Sequence, residues 1–507
     1  MYKVWNSLLN CFHLSFSDRL IRDEFIVLNK KNHFKSDKII LIPLIDDLAL
    51  MKLIINIKNN INSDAEKKVK YFYVKTAIDD NFVFKNIFSK NLNKVLNSRY
   101  FLQWKTCRKY NIKITDLLVS NYFSYSEKPK RHVINNKTEI LNFVYKNVLI
   151  GDLIYDTYLR FQKKSTLILS DKKLLFIINY STRLFNKWES LFKKVKIDTL
   201  LIPYTSYIHW GIPSRLALIN KINVFVFGSN NYFVKKLNSN HPFQSKDYQF
   251  YHTNFLKINN PKVKLYNAEK ELTDRLSGSI TNGISYMKTS AYKNKNTDFK
   301  LDVSKPFAVI FLHCFFDSPH IYGDGLFTDF HEWLNFILDQ AKSKKNVNFY
   351  VKEHPNALPE NKEIVDEFKN EYLKYNNIFF IESSVSNNII AQKKPLAIFT
   401  FYGTIAHEFA FLGIPVINAG INPHYNYNFN YNPKNISQYL EFINDIENIS
   451  LPPKYDRIEI LEFYYMHYMY YSRFYDSTNC SFIKDFTSGF FFISDNIKID
   501  DIIYENS

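Results

Sequence analysis

The most constraining feature of the sequence is a pair of strand, loop and helix units between residues 347 and 420. Residues 347–351 form a short run of β-branched and aromatic residues that ends at a polar loop containing His354. Residues 396–401 form a second such run, and a helical pattern of apolar residues follows it from Ile405. Short apolar runs that alternate with helical patterns are typical of parallel strands joined by crossover helices. The segment therefore predicts one half of an α/β domain.

The second unit carries an anion-binding pattern at its turn. Thr400, Tyr402, Gly403 and Thr404 lie between the end of the predicted strand and the start of the predicted helix. The first turn of a helix has backbone N–H groups without intrahelical partners, and it carries the positive end of the helix dipole. A phosphate group is therefore expected there. Glu408 lies one helical turn after Thr404, so we expect its carboxylate to accept hydrogen bonds from sugar hydroxyls in the same crevice.

Three motifs in this half of the chain form an ordered set: Lys352-Glu353-His354-Pro355, Gly403-Thr404-Ile405-Ala406-His407-Glu408 and Gly413-Ile414-Pro415. In this order they resemble the C-terminal half of GT-B glycosyltransferases, and most closely the capsule polysaccharide biosynthesis family that includes β-Kdo transferases. The resemblance covers residues 306–430 best. It implies an α/β, GT-B-like fold in which two Rossmann-like, doubly wound domains face a central cleft.

The resemblance also implies a function. A glycosyl group passes from a nucleotide sugar, such as a CMP-sugar, to a surface polysaccharide or glycolipid acceptor, and neither a metal nor another cofactor is needed. Lys352, His354 and the helix N–H groups are expected to stabilise the leaving phosphate. The residues expected to bind the donor are Lys352, Glu353, Pro355, His313, His320, Gly323, Thr400, Tyr402, Gly403, Thr404, Glu408 and Gly420.

A polar loop follows another predicted strand at residues 307–312. The loop contains His313, Asp317, His320, Gly323 and Asp324. Glycine is scarce, with 11 residues in 507, so the glycines of this half indicate positions where the backbone approaches a ligand or takes a positive φ. Histidine and aspartate are also metal ligands. We favour a polar loop that faces the cleft between the domains.

In the first half of the chain, alternating strand and helix patterns across residues 38–230 predict a parallel, doubly wound domain. After Gly151, the charged residues Asp152, Asp156 and Arg160 recur at a spacing of four, on one face of a predicted helix. These charges fit two alternatives, either the acceptor side of a cleft or a salt-bridged stripe on the surface.

The chain is long enough for more than one domain. We predict an N-terminal Rossmann-like domain with its connector over residues 1–300, a nucleotide-sugar-binding domain over 301–470, and a tail over 471–507 that packs back on the first domain. The candidate catalytic groups, which include carboxylates able to act as a base or a nucleophile, are His354, Asp317, Asp324 and Asp152.

Three alternatives to glycosyl transfer are left open by the sequence. The first is a polyol-phosphate transferase of the teichoic-acid type, because those enzymes also combine a GT-B scaffold with a His-Pro loop. The second is a nucleotide-sugar epimerase. The third is a silent GT-B domain that binds polysaccharide or a partner enzyme without catalysis.

The charge and composition of the chain narrow the range of possible binding partners. The net charge of +17 favours a phosphorylated ligand or an anionic membrane surface. The lysines are scattered and accompany no zinc-finger or RNA-recognition signature, so nucleic acid is not expected as a partner. No stretch reads as a spanning helix, and the cysteines form no Cys-x-x-Cys pair. We therefore expect a cytoplasmic protein with, at most, surface contact at the inner face of the membrane.

Overall fold

The structure is a computed structural model. It describes residues 38–45, 51, 54, 68–73, 106–113, 117–119, 134–227, 234–281, 290–293, 301–323, 325–355 and 359–470. The predicted tail over residues 471–507 and the candidate residue Asp324 lie outside these ranges.

The first sheet has six strands and is parallel except at one edge. The strands of this half are β1 (Ile39–Leu44), β2 (Lys68–Tyr73), β3 (Leu117–Val119), β4 (Val144–Tyr145), β5 (Val148–Leu149), β6 (Ile197–Ile202), β7 (Asn223–Phe227) and β8 (Val234–Lys236). The sheet order is β3-β2-β1-β6-β7-β8, with β8 antiparallel to β7. β4 and β5 form a separate antiparallel hairpin. Neither strand of this hairpin is part of the six-stranded sheet.

Within the described residues, the helices that pack on the first sheet include α1 (Lys137–Leu141), α2 (Gly151–Gln162), α3 (Lys172–Lys194) and α4 (Tyr207–Ile219). Ile154 of α2, Trp188 of α3 and Trp210 of α4 share one core with the strands. Asp171 caps α3, because its carboxylate accepts a hydrogen bond from the Lys173 N–H at 2.9 Å. The helix predicted after Gly151 corresponds to α2.

The segment between the two sheets contains α5 (Tyr251–Phe255) and α6 (Pro261–Leu276). Pro261 is a favoured first residue of a helix because its missing N–H needs no partner there. The helix ends at Leu276, and Gly278 follows with a φ of +103°.

The second sheet has five strands, all parallel. They are β9 (Phe307–Phe311), β10 (Asn348–Lys352), β11 (Ile378–Ile381), β12 (Ile398–Thr400) and β13 (Val416–Asn418), in the order β11-β10-β9-β12-β13. The helices of this half are α7 (Phe330–Ala341), α8 (Asn361–Tyr372), α9 (Asn387–Gln392), α10 (Ile405–Phe411), α11 (Ile436–Asn444) and α12 (Arg457–Tyr464). α12 continues as a π-helical turn over Tyr465–Tyr470.

Each sheet has one point at which the strand order reverses. In the first sheet the chain runs outward from β1 in one direction and from β6 in the other, so the reversal lies between β1 and β6. In the second sheet it lies between β9 and β12. Ligands of doubly wound sheets bind in the crevice at the carboxyl ends of the strands at such a point. The predicted α/β class with two Rossmann-like, doubly wound sheets is confirmed.

The connector and the second half of the chain are joined by a buried ion pair. Arg275 of α6 donates from Nη2 to Oε1 of Glu408 on α10 at 2.5 Å, and the Tyr292 hydroxyl donates to Oε2 at 2.7 Å. The Arg275 guanidinium also lies over the Tyr468 ring at 5.2 Å. Both oxygens of Glu408 are thus held by protein groups. This corrects the expectation that Glu408 binds sugar hydroxyls, because the carboxylate fixes α6 to α10 instead.

We predict that Glu408→Gln lowers the free energy of unfolding by about 3–5 kcal/mol, because it leaves the buried Arg275 without its counter-charge. The matched control is Glu269→Gln, which breaks the largely exposed pair with Arg457 at 3.1 Å. That change is expected to cost less than about 1 kcal/mol. Urea denaturation measures both. Equal small effects would contradict the structural assignment of Glu408.

Candidate active site

The reversal point of the second sheet is lined by residues that follow β9 and β12. His313 comes directly after β9, and Tyr402 and Gly403 come after β12. The Tyr402 N–H donates to Nε2 of His313 at 3.4 Å, and Thr400 Oγ1 lies 3.3 Å from the same nitrogen. The Gly403 N–H donates to Thr400 Oγ1 at 3.2 Å. These contacts tie the two strand ends into one crevice.

The His313 imidazole is held in place by aromatic rings. It stacks on Phe330 with ring centroids 4.8 Å apart, and the Tyr402 ring lies at 4.7 Å. Burial, and to a lesser extent the neighbouring His354, lower the pKa of His313 to about 3. The ring is therefore neutral, and Nε2 accepts the Tyr402 N–H. His313 thus holds the turn that precedes α10.

A different structural constraint explains the presence of glycine at each of three positions around this crevice. A Cβ at Gly403 would lie 2.8 Å from Thr400 Oγ1, so the turn closes only around a glycine. A Cβ at Gly420 would lie 2.6 Å from the Phe401 ring. Gly420, which is predicted to bind the donor, therefore makes room for Phe401. Gly323 has a φ of +107°, as expected for a loop glycine.

The Lys-Glu-His-Pro loop follows β10. Lys352 is buried, and its Nζ donates to the Glu382 carbonyl at 2.8 Å and more weakly to the Glu353 carbonyl at 3.5 Å. Burial lowers the pKa of Lys352 to about 8 and raises that of Glu353. Burial also lowers the pKa of His354, against the opposing effect of the nearby Asp317 carboxylate. At neutral pH His354 is thus an uncharged imidazole beside an exposed aspartate.

The first domain contributes α2 to the cleft. Asp156 is buried, and its Oδ1 lies 2.6 Å from Nδ1 of His320, so the imidazole donates to the carboxylate across the boundary between the sheets. Burial raises the pKa of Asp156 to about 6, although His320 opposes the shift. The candidate base Asp152 has a different partner, because Arg215 binds both of its oxygens, at 2.7 and 2.5 Å. Neither carboxylate lies on a surface stripe.

Tyr207, which our sequence analysis does not single out, stands at the first position of α4 with a φ of +62°. Such a value is costly for a residue with a bulky side chain. Burial raises the pKa of Tyr207, the Asp317 carboxylate raises it further, and Arg160 opposes the shift. Its position after β6 places it at the reversal point of the first sheet. The signal that could have identified Tyr207 is the short segment 203–206, which separates the apolar run of β6 from the helix α4.

Tyr402 marks where the two halves meet. Its hydroxyl donates to the Ser318 carbonyl at 3.0 Å. Burial raises the pKa of Tyr402, and the charges of Asp317 and Asp156 raise it further, so both carboxylates lie near this phenol. The cleft residues that the structure brings together are Asp156 and Tyr207 from the first half, and His313, Asp317, His320, His354, Thr400, Tyr402 and Gly403 from the second.

The remaining predicted residues have simpler placements. Thr404 is exposed at the start of α10 and makes no side-chain cap. Pro355 is half-buried next to residues 356–358, which are not described. Within the described ranges, no group of three or more His, Cys, Asp or Glu side chains is arranged to hold a metal ion.

Comparison with known proteins gave matches among solved structures. Neither the protein-family models nor the curated proteins gave one. The KpsC β-Kdo 2,4 transferase of Thermosulfurimonas dismutans is 13% identical over 54% of this chain and 81% of its own, with a TM-score of 0.34. The KpsC β-Kdo 2,7 transferase of the same organism is 16% identical over 60% and 84%, with a TM-score of 0.31. A UDP-GlcNAc 2-epimerase from Neisseria meningitidis is 12% identical over 84% and 95%, with a TM-score of 0.24.

β-Kdo transferases are thus among the proteins to which this chain is similar, as the motif resemblance predicts. Identities and scores of this size leave the function to be inferred from the residues of the chain itself.

We predict that activity depends on the ionised form of Asp156. Its pKa is raised to about 6, so the carboxylate that holds His320 becomes protonated as the pH falls through that value. The kcat/KM of the transfer reaction proposed below should fall over the same pH range. Asp156→Asn should abolish this acid limb and lower kcat/KM on the order of 10²-fold. A raised carboxyl pKa means that the ionised Asp156 lowers the folding stability above about pH 6. The asparagine variant has no such charge, so it should keep or raise the melting temperature at neutral pH.

The control lies on the same helix. Asp152→Asn should keep the acid limb and lower the melting temperature, because Arg215 loses its charged partner. A wild-type pH profile in Asp156→Asn would contradict the role given to this pair.

Proposed function

We propose that the protein transfers a glycosyl group from a nucleotide sugar to a hydroxyl group of a polysaccharide or glycolipid acceptor. The observation that carries the proposal is the convergence of imidazole, phenol and carboxylate groups from the two halves of the chain on one cleft. His354 and Tyr402 come from the second half, and Asp156 and Tyr207 from the first. A cleft of this kind supports an activated donor on one side and an acceptor on the other.

The second half is suited to the donor phosphates. The first N–H groups of α10 follow Gly403, where the turn is tight, and N–H groups at a helix start attract anions. Lys352 adds a buried positive charge at the end of β10. His354 is neutral at pH 7 and so retains one N–H to donate. We assign these groups to the phosphate that carries the growing negative charge as the glycosidic bond breaks.

The acceptor reaction requires a group that takes a proton. Asp317 is an exposed carboxylate beside His354, Tyr207 and Tyr402. As a base it removes the proton of the acceptor hydroxyl, whose oxygen bonds to the anomeric carbon while the nucleotide leaves with the electron pair of the broken bond. As a nucleophile it first bonds to that carbon while the nucleotide leaves with the electron pair of the broken bond; the acceptor oxygen then displaces the carboxylate, and the released phosphate takes the acceptor proton. The Asp156–His320 pair is placed to position the groups on the acceptor side.

A panel of CMP-, UDP-, GDP- and dTDP-sugars, with CMP-glycerol included, tests the proposal. Incubation with the purified full chain and polysaccharide or glycolipid acceptors should release free nucleotide from one sugar donor and extend the acceptor. Release from CMP-glycerol alone would favour polyol-phosphate transfer. A changed sugar on an intact nucleotide would favour epimerisation, and binding without turnover would favour a silent domain.

We predict that His354→Ala lowers kcat by roughly 10²–10³-fold, the usual cost of losing one donor to a developing negative charge. The control is His331→Ala. His331 of α7 packs against Phe368 of α8, and neither residue is among the cleft residues named above. That variant should keep a kcat near the wild-type value. Steady-state kinetics with saturating donor separates the two. A wild-type kcat in a folded His354→Ala variant would remove the loop from the mechanism.

We also predict that activity survives chelation. His313 is held between Phe330 and Tyr402, and its Nε2 accepts the Tyr402 N–H, so this imidazole is not placed as a ligand for a cation. Dialysis against EDTA should leave the initial rate within about twofold of the untreated protein, since the leaving phosphate is stabilised by protein donors. Loss of activity that one divalent ion restores would contradict this prediction.

A further inference from the structure

The two halves of the chain meet at the carboxylate of Asp329, which is fully buried at the start of α7. Its Oδ1 serves its own half, because it accepts the Glu332 N–H at 2.8 Å and so caps α7. Its Oδ2 serves the first half, because it accepts the hydroxyls of Tyr155 on α2 and of Thr166, each at 2.5 Å. Lys137 Nζ lies 3.5 Å from the same oxygen. One carboxylate thus caps a helix of the second half and binds three groups of the first.

Two further contacts of α2 cross the same boundary. Asp156 and His320 are both buried, and Oδ1 of the carboxylate lies 2.6 Å from Nδ1 of the imidazole. At the end of α2, the Lys163 ammonium lies over the Phe316 ring at 5.5 Å. The helix itself is fixed in the core of the first half through Ile154. Its contacts with the second half therefore hold the two cores together.

The connector is anchored to the first half by a buried lysine. Lys235 belongs to β8, the edge strand of the first sheet. Its Nζ lies 2.8 Å from His241 Nδ1, 2.9 Å from the Ser245 carbonyl and 2.7 Å from Asp247 Oδ1. These three acceptors match the three N–H groups of an ammonium. The loop after β8 is thus folded around a charge of the first half.

The same loop joins the two walls of the cleft. Thr205, in the segment between β6 and α4, donates its N–H to Gln244 Oε1 at 2.7 Å, and the Gln244 N–H donates to Thr205 Oγ1 at 2.8 Å. Four residues later, the Tyr248 ring contacts the Tyr322 ring of the second half, with centroids 6.2 Å apart. The connector therefore contacts the loop after β6 as well as the loop after β9.

The connector is also bonded to the turn that continues α12. Lys246 is buried, and its Nζ donates to the carbonyl of His467. The Tyr251 hydroxyl lies 2.8 Å from Nδ1 of the same histidine. This turn packs on the second half, because the Tyr468 ring contacts His407 of α10 at 5.5 Å. A second set of contacts, on elements other than α2, therefore joins the halves.

Two domains that face a cleft commonly open and close by rotation about a hinge. We propose that the halves of this chain instead form one rigid body in the absence of any ligand, so that the cleft is assembled before a substrate binds. Each charge-assisted hydrogen bond that an opening motion breaks lowers the population of the open arrangement by roughly tenfold or more. Loss of the two hydroxyl bonds to Asp329 would alone limit the open arrangement to about one molecule in a hundred. The proposal concerns the free protein and does not depend on the proposed transfer reaction.

The test is a distance measurement by double electron–electron resonance on the full chain without ligand. Spin labels at Lys194→Cys of α3 and Lys369→Cys of α8 report the separation of the halves, since both positions are exposed. The four native cysteines are replaced by alanine, and circular dichroism verifies that the labelled protein is folded. With all inter-half contacts in place, the labels should give one narrow distance distribution.

The test variant is Asp329→Asn combined with Tyr155→Phe. It removes the buried charge and one of its donors, while asparagine remains a good cap for α7. The distribution should broaden or gain a second, longer distance. The matched control is Asp171→Asn combined with Tyr158→Phe, because the Tyr158 hydroxyl of α2 donates at 2.8 Å to Asp171, which caps α3 within the first half. That control should keep the narrow distribution.

A broad or two-component distribution in the protein with native contacts would overturn the proposal. It is also overturned if the distribution stays narrow both in the test variant and in Gln244→Ala, which cuts the connector from Thr205. Broadening in the matched control as large as in the test variant contradicts the role given to Asp329. If the double variant does not fold, Tyr155→Phe alone takes its place, and a distribution as narrow as that of the native contacts counts against the proposal.

Discussion

Asp329 is a fully buried carboxylate at the start of α7, and three groups of the first half of the chain converge on it. The Tyr155 hydroxyl and the Thr166 hydroxyl each donate to Oδ2 at 2.5 Å, and Lys137 Nζ lies 3.5 Å away. A buried carboxylate is costly unless donors surround it. One residue along α2 from Tyr155, Asp156 holds His320. The relative position of the two reversal points, and hence the cleft, depends on these contacts of α2.

Burial then sets the charge states within the cleft. It lowers the pKa of His313 and His354, so both imidazoles are neutral at pH 7, and it raises the pKa of Tyr402 and Tyr207, so both phenols keep their protons. The exposed Asp317 carboxylate lies among these neutral groups. Hydrogen-bond donors fixed in a poorly solvated site interact strongly with a charge that develops during a reaction. In the proposed reaction, these donors face the anionic leaving group.

Much of this arrangement was predictable because it is local. Strands at β9, β10 and β12 follow from short apolar runs, and parallel pairing brings the residues after each strand to one edge, which groups His313, His354 and Tyr402. The side chains whose partners our sequence analysis did not anticipate are bound by groups elsewhere in the chain. Asp152 is bound by Arg215, Glu408 by Arg275, and Gly420 makes room for Phe401. Local spacing indicates that a carboxylate lies on a helix, but it does not identify the group that faces it.

The central claim is that a nucleotide sugar binds in the cleft between the two reversal points, with its phosphates on the second sheet. Hydrogen exchange of the full chain, with and without the nucleotide sugar that gives turnover, tests it most directly. The account predicts slower exchange in residues 313–323, 353–355 and 401–406, together with 204–208 at the start of α4. Protection confined to the first sheet, with no change in the loops that follow β9, β10 and β12, would contradict it.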